Sequence, residues 1–255
     1  MRMVRPALAE SPTTAVVTGA ASGIGRATAV GFAATGANVA LLDVNADGAH
    51  EVAREIDPSG TRTIVLPVDL ADPAAVSAAM GATHEQFGSL DALANVGAIY
   101  PRATVLDVTE ELWDRVMAIN LRGLFFCCQA ALRVMLPQGR GAIVNVASGA
   151  AFRALEAQAT YSASKAGVVG LSRVLALECA RAGVRVNVVA PGHTLTDNTI
   201  AAIGPERFEG MAESLVPGRF LTPDEPANAI VWLCSDAASG INGAIVNVNG
   251  GNYMP

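Results

Sequence analysis

The sequence predicts an α/β fold in which one parallel sheet of about seven strands is covered by helices on both faces. Three observations lead there. Short apolar runs alternate with longer amphipathic segments along the whole chain. Those runs are apolar throughout rather than alternating, as strands buried on both faces are. The length of 255 residues allows a single large core without disulfides or a structural metal.

The expected strands are Ala15–Thr18, Asn38–Asp43, Thr63–Asp69, Leu90–Asn95, Ala142–Ala147, Val184–Ala190 and Ala244–Asn249. The first runs into a glycine-rich turn and then a helix. Asp72 followed by Pro73 reads as an N-cap with a first-turn proline, and Val76, Met80 and Phe87 keep one apolar face. Two longer helical segments run from about Thr109 to Met135 and from about Gln158 to Ala182. Thr222-Pro223-Asp224-Glu225 reads as a capping box opening a helix through Trp232 and Leu233. With no repeat, linker or charge block, the expected organisation is a short surface tail over 1–12 and one domain over 13–255.

Composition narrows the function classes. At 51% apolar and 16% charged residues the chain is not of the disordered type. A net charge of −6 argues against a nucleic-acid partner, which needs clustered Lys and Arg. The four cysteines (Cys127, Cys128, Cys179, Cys234) form no C-x-x-C pair, and the three histidines are widely separated. Neither a metal site nor a disulfide framework is expected; the cysteines read as small buried hydrophobes in a reducing compartment. No apolar run reaches the roughly 20 residues of a membrane helix. The N-terminal stretch, with Arg2 and Arg5, lacks the apolar region of a signal peptide. A cytoplasmic protein without a membrane partner is the expectation.

The turn after the first strand is Thr18-Gly19-Ala20-Ala21-Ser22-Gly23-Ile24-Gly25. Its backbone N–H groups and the following helix N-terminus suit a pyrophosphate, giving a Rossmann-like site over Gly19, Ser22, Gly23, Ile24 and Gly25. Gly19 permits the sharp turn, Gly23 the approach of phosphate, and Gly25 close helix–strand packing. Asp43, closing the second strand, can accept hydrogen bonds from both hydroxyls of an adenosine ribose and would repel a 2′-phosphate, favouring NAD. Alternatively Asp43 only starts the turn before Asn45.

Tyr161 and Lys165 are four apart in a helical segment and share a face. A nearby ammonium favours the phenolate, and bringing the phenol from about 10 to about 7 needs roughly 4 kcal/mol. A phenol so tuned can exchange a proton with an alcohol or ketone oxygen. Ser148, just past the fifth strand, can hydrogen-bond the same oxygen.

In these features the sequence resembles the short-chain dehydrogenase/reductase family, from Thr14 to about Gly251. The motifs carrying the resemblance are the Gly19–Gly25 turn, Asp69, Asn95, Asn120, Ser148, Tyr161-x-x-x-Lys165, Asn187 and Pro191-Gly192. The resemblance implies Tyr161 as general acid/base, Ser148 as its partner, Lys165 on the nicotinamide ribose and Asn120 holding a proton-relaying water. It also implies Asp69-Leu70 at the adenine, Asn95 beside the cofactor, and Pro191, Gly192, Thr194 and Thr196 at the carboxamide. The chain departs from the family's Asn-Asn-Ala-Gly run with Asn95-Val96-Gly97-Ala98, and Thr194 replaces the usual apolar residue. Asn187 alternatively bridges backbone groups.

The resemblance puts the substrate among Ala98–Tyr100, Gly149–Leu155 (with Ala150 and Leu155), Ser148, Tyr161 and His193, under a lid near 196–216. His193 lines this pocket or points to solvent. Arg153 pairs with a substrate carboxylate or is solvated. The small apolar lining favours a secondary alcohol or ketone of modest size over a polyol. The expected activity is NAD(H)-dependent interconversion of a secondary alcohol and its ketone. A 3-oxoacyl thioester reductase and a catalytically idle dinucleotide-binding protein are the alternatives. The two long helices, apolar on several faces, and the family's habit both point to a homotetramer, with a dimer as fallback.

Overall fold

Strand order in the sheet is β3-β2-β1-β4-β5-β6-β7, with every pairing parallel. The strands are β1 Thr14–Thr18, β2 Asn38–Asp43, β3 Thr63–Pro67, β4 Ala92–Asn95, β5 Gly141–Val146, β6 Val184–Pro191 and β7 Ile245–Val248. The structure, a computed structural model, describes residues 13–254, and the expected tail over 1–12 lies outside the described residues. Helices follow as α1 Gly23–Ala34, α2 Ala46–Ile56, α3 Pro73–Phe87, α4 Glu110–Met117, α5 Leu124–Gln138 and α6 Ala159–Cys179. After β6 come α7 Asp197–Ile203, α8 Pro205–Ser214 and α9 Asp224–Cys234.

Alternation along each strand divides the core in two. Val16, Ala40, Leu42, Leu93, Ile143 and Val186 pack with residues of α3, α5 and α6 on one face. Ala15, Val17, Val39, Leu41, Ala94 and Val144 pack with α1, α2 and α9 on the other. The two-sided burial explains why the strands read as unbroken apolar runs. Strand order reverses between β1 and β4, and ligands bind parallel sheets in the crevice this reversal opens at the strands' carboxyl ends.

Some boundaries shift for local reasons. β4 begins at Ala92 because the backbone of Leu90 is held by the Gln138 carboxamide, which accepts from Leu90 N at 3.0 Å and donates to Leu90 O at 2.9 Å. Asp72 caps α3 as expected, accepting from Ala74 N and Ala75 N at 2.9 and 3.2 Å. Only half of the expected capping box forms at α9. Glu225 accepts from Thr222 N at 2.8 Å, but Pro223 already has helical dihedrals, so the helix start moves past Thr222. Asn187 bridges backbone, donating to Ile241 O and accepting from Ala244 N. All four cysteines are free and buried, and burial pushes the Cys128 and Cys234 thiols up to about 12, as befits inert core residues.

The first long helical segment is one continuous helix over Glu110–Gln138, but a π-helical stretch at Ala118–Gly123 joins α4 to α5. By length and composition this 29-residue helix is apolar enough to cross a membrane. It is not an unbroken apolar run, since Glu110, Glu111, Asp114, Arg115, Arg122 and Arg133 are dispersed along it. Here Leu124, Cys127, Cys128, Ala131 and Met135 lie in the core against the sheet, so it packs as a core helix.

Candidate active site

At the carboxyl ends of the strands lies a cavity of about 790 Å³, within the range of small-molecule sites. The glycine turn forms one wall. Gly19 has φ +68°, and a Cβ on Gly25 would stand 1.9 Å from Gly19 O. Helix α1 starts at Ser22 with no side-chain cap and no acidic residue in its first turn. Its first N–H groups therefore remain for an anion. Asp43 lines the cavity and also makes the turn: its carboxylate accepts from Ala21 N and Asn45 N, both at 2.9 Å. The turn reading of Asp43 holds, and each carboxylate oxygen keeps further lone pairs.

Asp69 and Leu70 form the adjoining wall. The Ala71 N–H, and then Arg115 at 3.1 Å, hold the Asp69 carboxyl below its usual range. The departure at Asn95-Val96-Gly97-Ala98 is accommodated structurally. Thr18 Oγ1 accepts from Val96 N and Gly97 N at 3.0 and 3.1 Å, tying the end of β4 to the glycine turn. A Cβ on Gly97 would stand 2.8 Å from Leu70 Cδ1, so Leu70 fills the space a side chain there would take. A cradle that closed to side chains, ending in uncapped N–H groups beside Asp43, fits a dinucleotide.

Two predicted residues lie outside the cavity lining. Asn95 is buried, and its amide donates to Asn145 Oδ1 at 2.8 Å and Cys128 Sγ at 3.3 Å, pointing into the sheet rather than at a cofactor. Asn120 sits in the π-helical stretch, where its carboxamide accepts from Ile99 N at 2.9 Å and donates to Ile99 O at 2.7 Å. That side chain is occupied clamping the pocket wall at Ile99.

Tyr161, Lys165 and Ser148 meet in the cavity. Lys165 is buried and donates to Val146 O at 2.7 Å; its Nζ lies 5.8 Å from the centroid of the Tyr161 ring. Burial lowers Lys165 to about 8 and pushes Tyr161 up to about 12, the Ser148 hydroxyl beside the phenol pulling the other way. Burial of the phenol thus opposes the tuning expected from the neighbouring ammonium. Reaching about 7 requires roughly 7 kcal/mol, at about 1.4 kcal/mol per unit, because desolvation opposes the charge. Ser148 Oγ accepts from Ala150 N at 3.2 Å, leaving its own proton to donate.

Pro191, Gly192, Thr194 and Thr196 line the same cavity, as do Ala150, Leu155 and His193. Thr196 Cγ2 is where a Cβ on Gly23 would make contact at 3.0 Å, so the segment after β6 closes over the glycine turn. Tyr100, expected at the substrate, stands 5.9 Å from Tyr161 ring to ring. Asn252 and Tyr253, which had no signal in sequence, return to line the pocket as well.

A family model described as "Enoyl-(Acyl carrier protein) reductase" matches residues 19–252. D-threitol dehydrogenase of Mycolicibacterium smegmatis is 44% identical over 237 residues, covering 93% of this chain and 91% of that one. Cis-4-hydroxycyclohexanecarboxylate dehydrogenase of Sinomonas cyclohexanicum is 44% identical over 238 residues, covering 93% and 95%. Among solved structures, a short-chain dehydrogenase/reductase (glucose/ribitol dehydrogenase) from Brucella melitensis superposes with a TM-score of 0.89 at 34% identity, covering 95% and 97%.

Proposed function

The chain belongs to the short-chain dehydrogenase/reductase family, oxidoreductases acting on alcohols, and from that premise we propose that it interconverts a secondary alcohol and its ketone with NAD(H). The observation that carries the reading is the convergence of Ser148, Tyr161 and buried Lys165 on one cavity with the glycine cradle.

A nicotinamide dinucleotide bound there supplies the hydride acceptor or donor and, when oxidised, a positive charge. The Gly19–Gly25 turn binds its phosphates and Asp43 its adenosine ribose. Ser148 donates to the carbinol oxygen, and Tyr161 takes the hydroxyl proton in oxidation or returns it in reduction. Lys165, fixed on Val146 O, keeps two ammonium hydrogens for a ribose hydroxyl and steadies the phenolate. Asn120 positions the wall at Ile99. The segment 196–216, which holds α7 and α8 joined at Gly204 (φ +84°), acts as the lid.

Asp43 supports NAD over NADP. Turnover by the purified protein on secondary alcohols, polyols and 3-hydroxyacyl thioesters, with both cofactors in parallel, tests activity and cofactor together. Oxidation with a preference for NAD is expected, and Asp43→Ala should narrow that preference about 10-fold or more. An unchanged ratio would refute the ribose role, and turnover confined to thioesters with NADPH would favour the acyl-thioester reading.

The partner expected on the outer helices is the chain itself. Met117, Leu121, Phe125 and Leu171 line an apolar groove on α4–α6, and Val174 and Leu177 of α6 are exposed. Light scattering is expected to give four chains per particle; a monomer at micromolar concentration would contradict this.

A further inference from the structure

Three nitrogen atoms of the cavity wall are buried without a hydrogen-bond partner: Arg153 Nε, His193 Nδ1 and Asn252 Nδ2. Buried polar groups are normally paired, so three orphans in one cavity point to a missing acceptor. Their orientation is set by neighbours. Arg153 ends the turn that begins at Ser148, its N–H donating to Gly149 O at 3.1 Å. Its guanidinium lies 5.9 Å over the Tyr253 ring, which stacks on Phe152 at 5.8 Å. Among the described residues no carboxylate pairs with it.

Asn252 Oδ1 accepts from Val216 N at 2.9 Å, so the unpartnered atom is the amide's donor end. His193 follows the Pro191-Gly192 turn, its ring edge against Phe220 at 6.4 Å. Burial first, and the Arg153 charge second, hold its pKa down, which leaves a neutral ring with one N–H. The cluster thus offers one fixed positive charge and further donors, and no carboxylate of its own. That is the complement of a planar anion.

We propose that Arg153, His193 and Asn252 bind a carboxylate of the substrate, so that the chain acts on hydroxy acids and the matching oxo acids. The alcohol carbon then sits at Ser148 and Tyr161 and the acid group at the cluster. This rests on the reading of Ser148 and Tyr161 as the reaction centre. It also revises the expectation of a plain alcohol, because the apolar Gly149–Leu155 stretch carries the one arginine in it toward the cavity.

The test compares ring and chain hydroxy acids with their primary carboxamides, which match them in size but lack the charge. For at least one pair, kcat/KM for the acid is expected to exceed that for the amide by about 10- to 100-fold, the worth of a charged hydrogen-bonded pair. In Arg153→Gln the ratio should fall to about 1. Because both substrates are read in the same variant, a loss of folded protein lowers both and leaves the ratio intact.

Equal turnover of acids and amides by the wild type would overturn the proposal. So would a phosphate monoester outperforming every acid, or an Arg153→Gln variant that raises KM for NAD and keeps the ratio. Calorimetric titration of acid and amide into the NAD-bound protein separates the two readings. Preferential binding of an acid that is never oxidised would support the subsite and sink the reaction centre.

Discussion

Tyr161→Phe is expected to lower kcat for alcohol oxidation by about 1,000-fold, the scale of a general acid/base contribution. NAD should still bind within a few-fold of the wild-type affinity. The phenol hydroxyl is the one group removed, and the ring that meets Tyr100 at 5.9 Å is kept. The pH profile separates this role from a packing role. Burial pushes Tyr161 up to about 12, so at neutral pH the protein's own groups favour the protonated phenol, the form that serves ketone reduction. Oxidation needs the phenolate, and wild-type kcat/KM for the alcohol should therefore climb with pH. The residual activity of the Phe variant should lose that climb. Steady-state rates in both directions across pH check this, and a Phe variant with full activity would remove Tyr161 from the chemistry.

The second large effect is expected at Gly25. In Gly25→Ala the new methyl would stand 1.9 Å from Gly19 O and 2.6 Å from Gly19 C, both backbone atoms that cannot rotate aside. Either α1 moves off β1 or the turn opens. Overpacking of this kind costs about 3 kcal/mol or more, and NAD affinity should fall about 100-fold with it. Gly81 provides the contrast: it lies in α3 with nothing within 4 Å of an added Cβ. Gly81→Ala should stabilise by up to about 1 kcal/mol. Thermal unfolding and NAD titration of the two variants give the comparison. Wild-type Tm and affinity in Gly25→Ala would mean that the cradle is not the close contact described.

The sheet was legible in sequence because strands buried on both faces are mostly apolar and keep only polar residues that find partners, as Asn187 does, so Asn38–Asp43 and Val184–Ala190 stand out. The glycine cradle was legible because backbone contact leaves no alternative residue at Gly25. Polar residues that serve other polar residues were not legible. Asn95 and Asn120 look alike in sequence as candidates for the site, yet one turns into a buried network with Asn145 and the other clamps Ile99. Their targets are long-range backbone and side-chain atoms that have no local periodicity. Asn252 and Tyr253 were missed for the same reason: nothing near them in the chain records that they fold back over Phe152.

The wide turn at Ala118–Gly123 has a bearing on how chains of this kind differ in length. A π-helical stretch accommodates one residue beyond what the regular spiral needs, while the helix on either side keeps its packing. A chain one residue shorter in this stretch could retain α4 and α5 against the sheet and give up the Asn120 clamp alone. In an alignment of homologous chains, a single-residue gap in this helix therefore belongs inside Ala118–Gly123. Such a gap would mark a pocket wall at Ile99 held by other means.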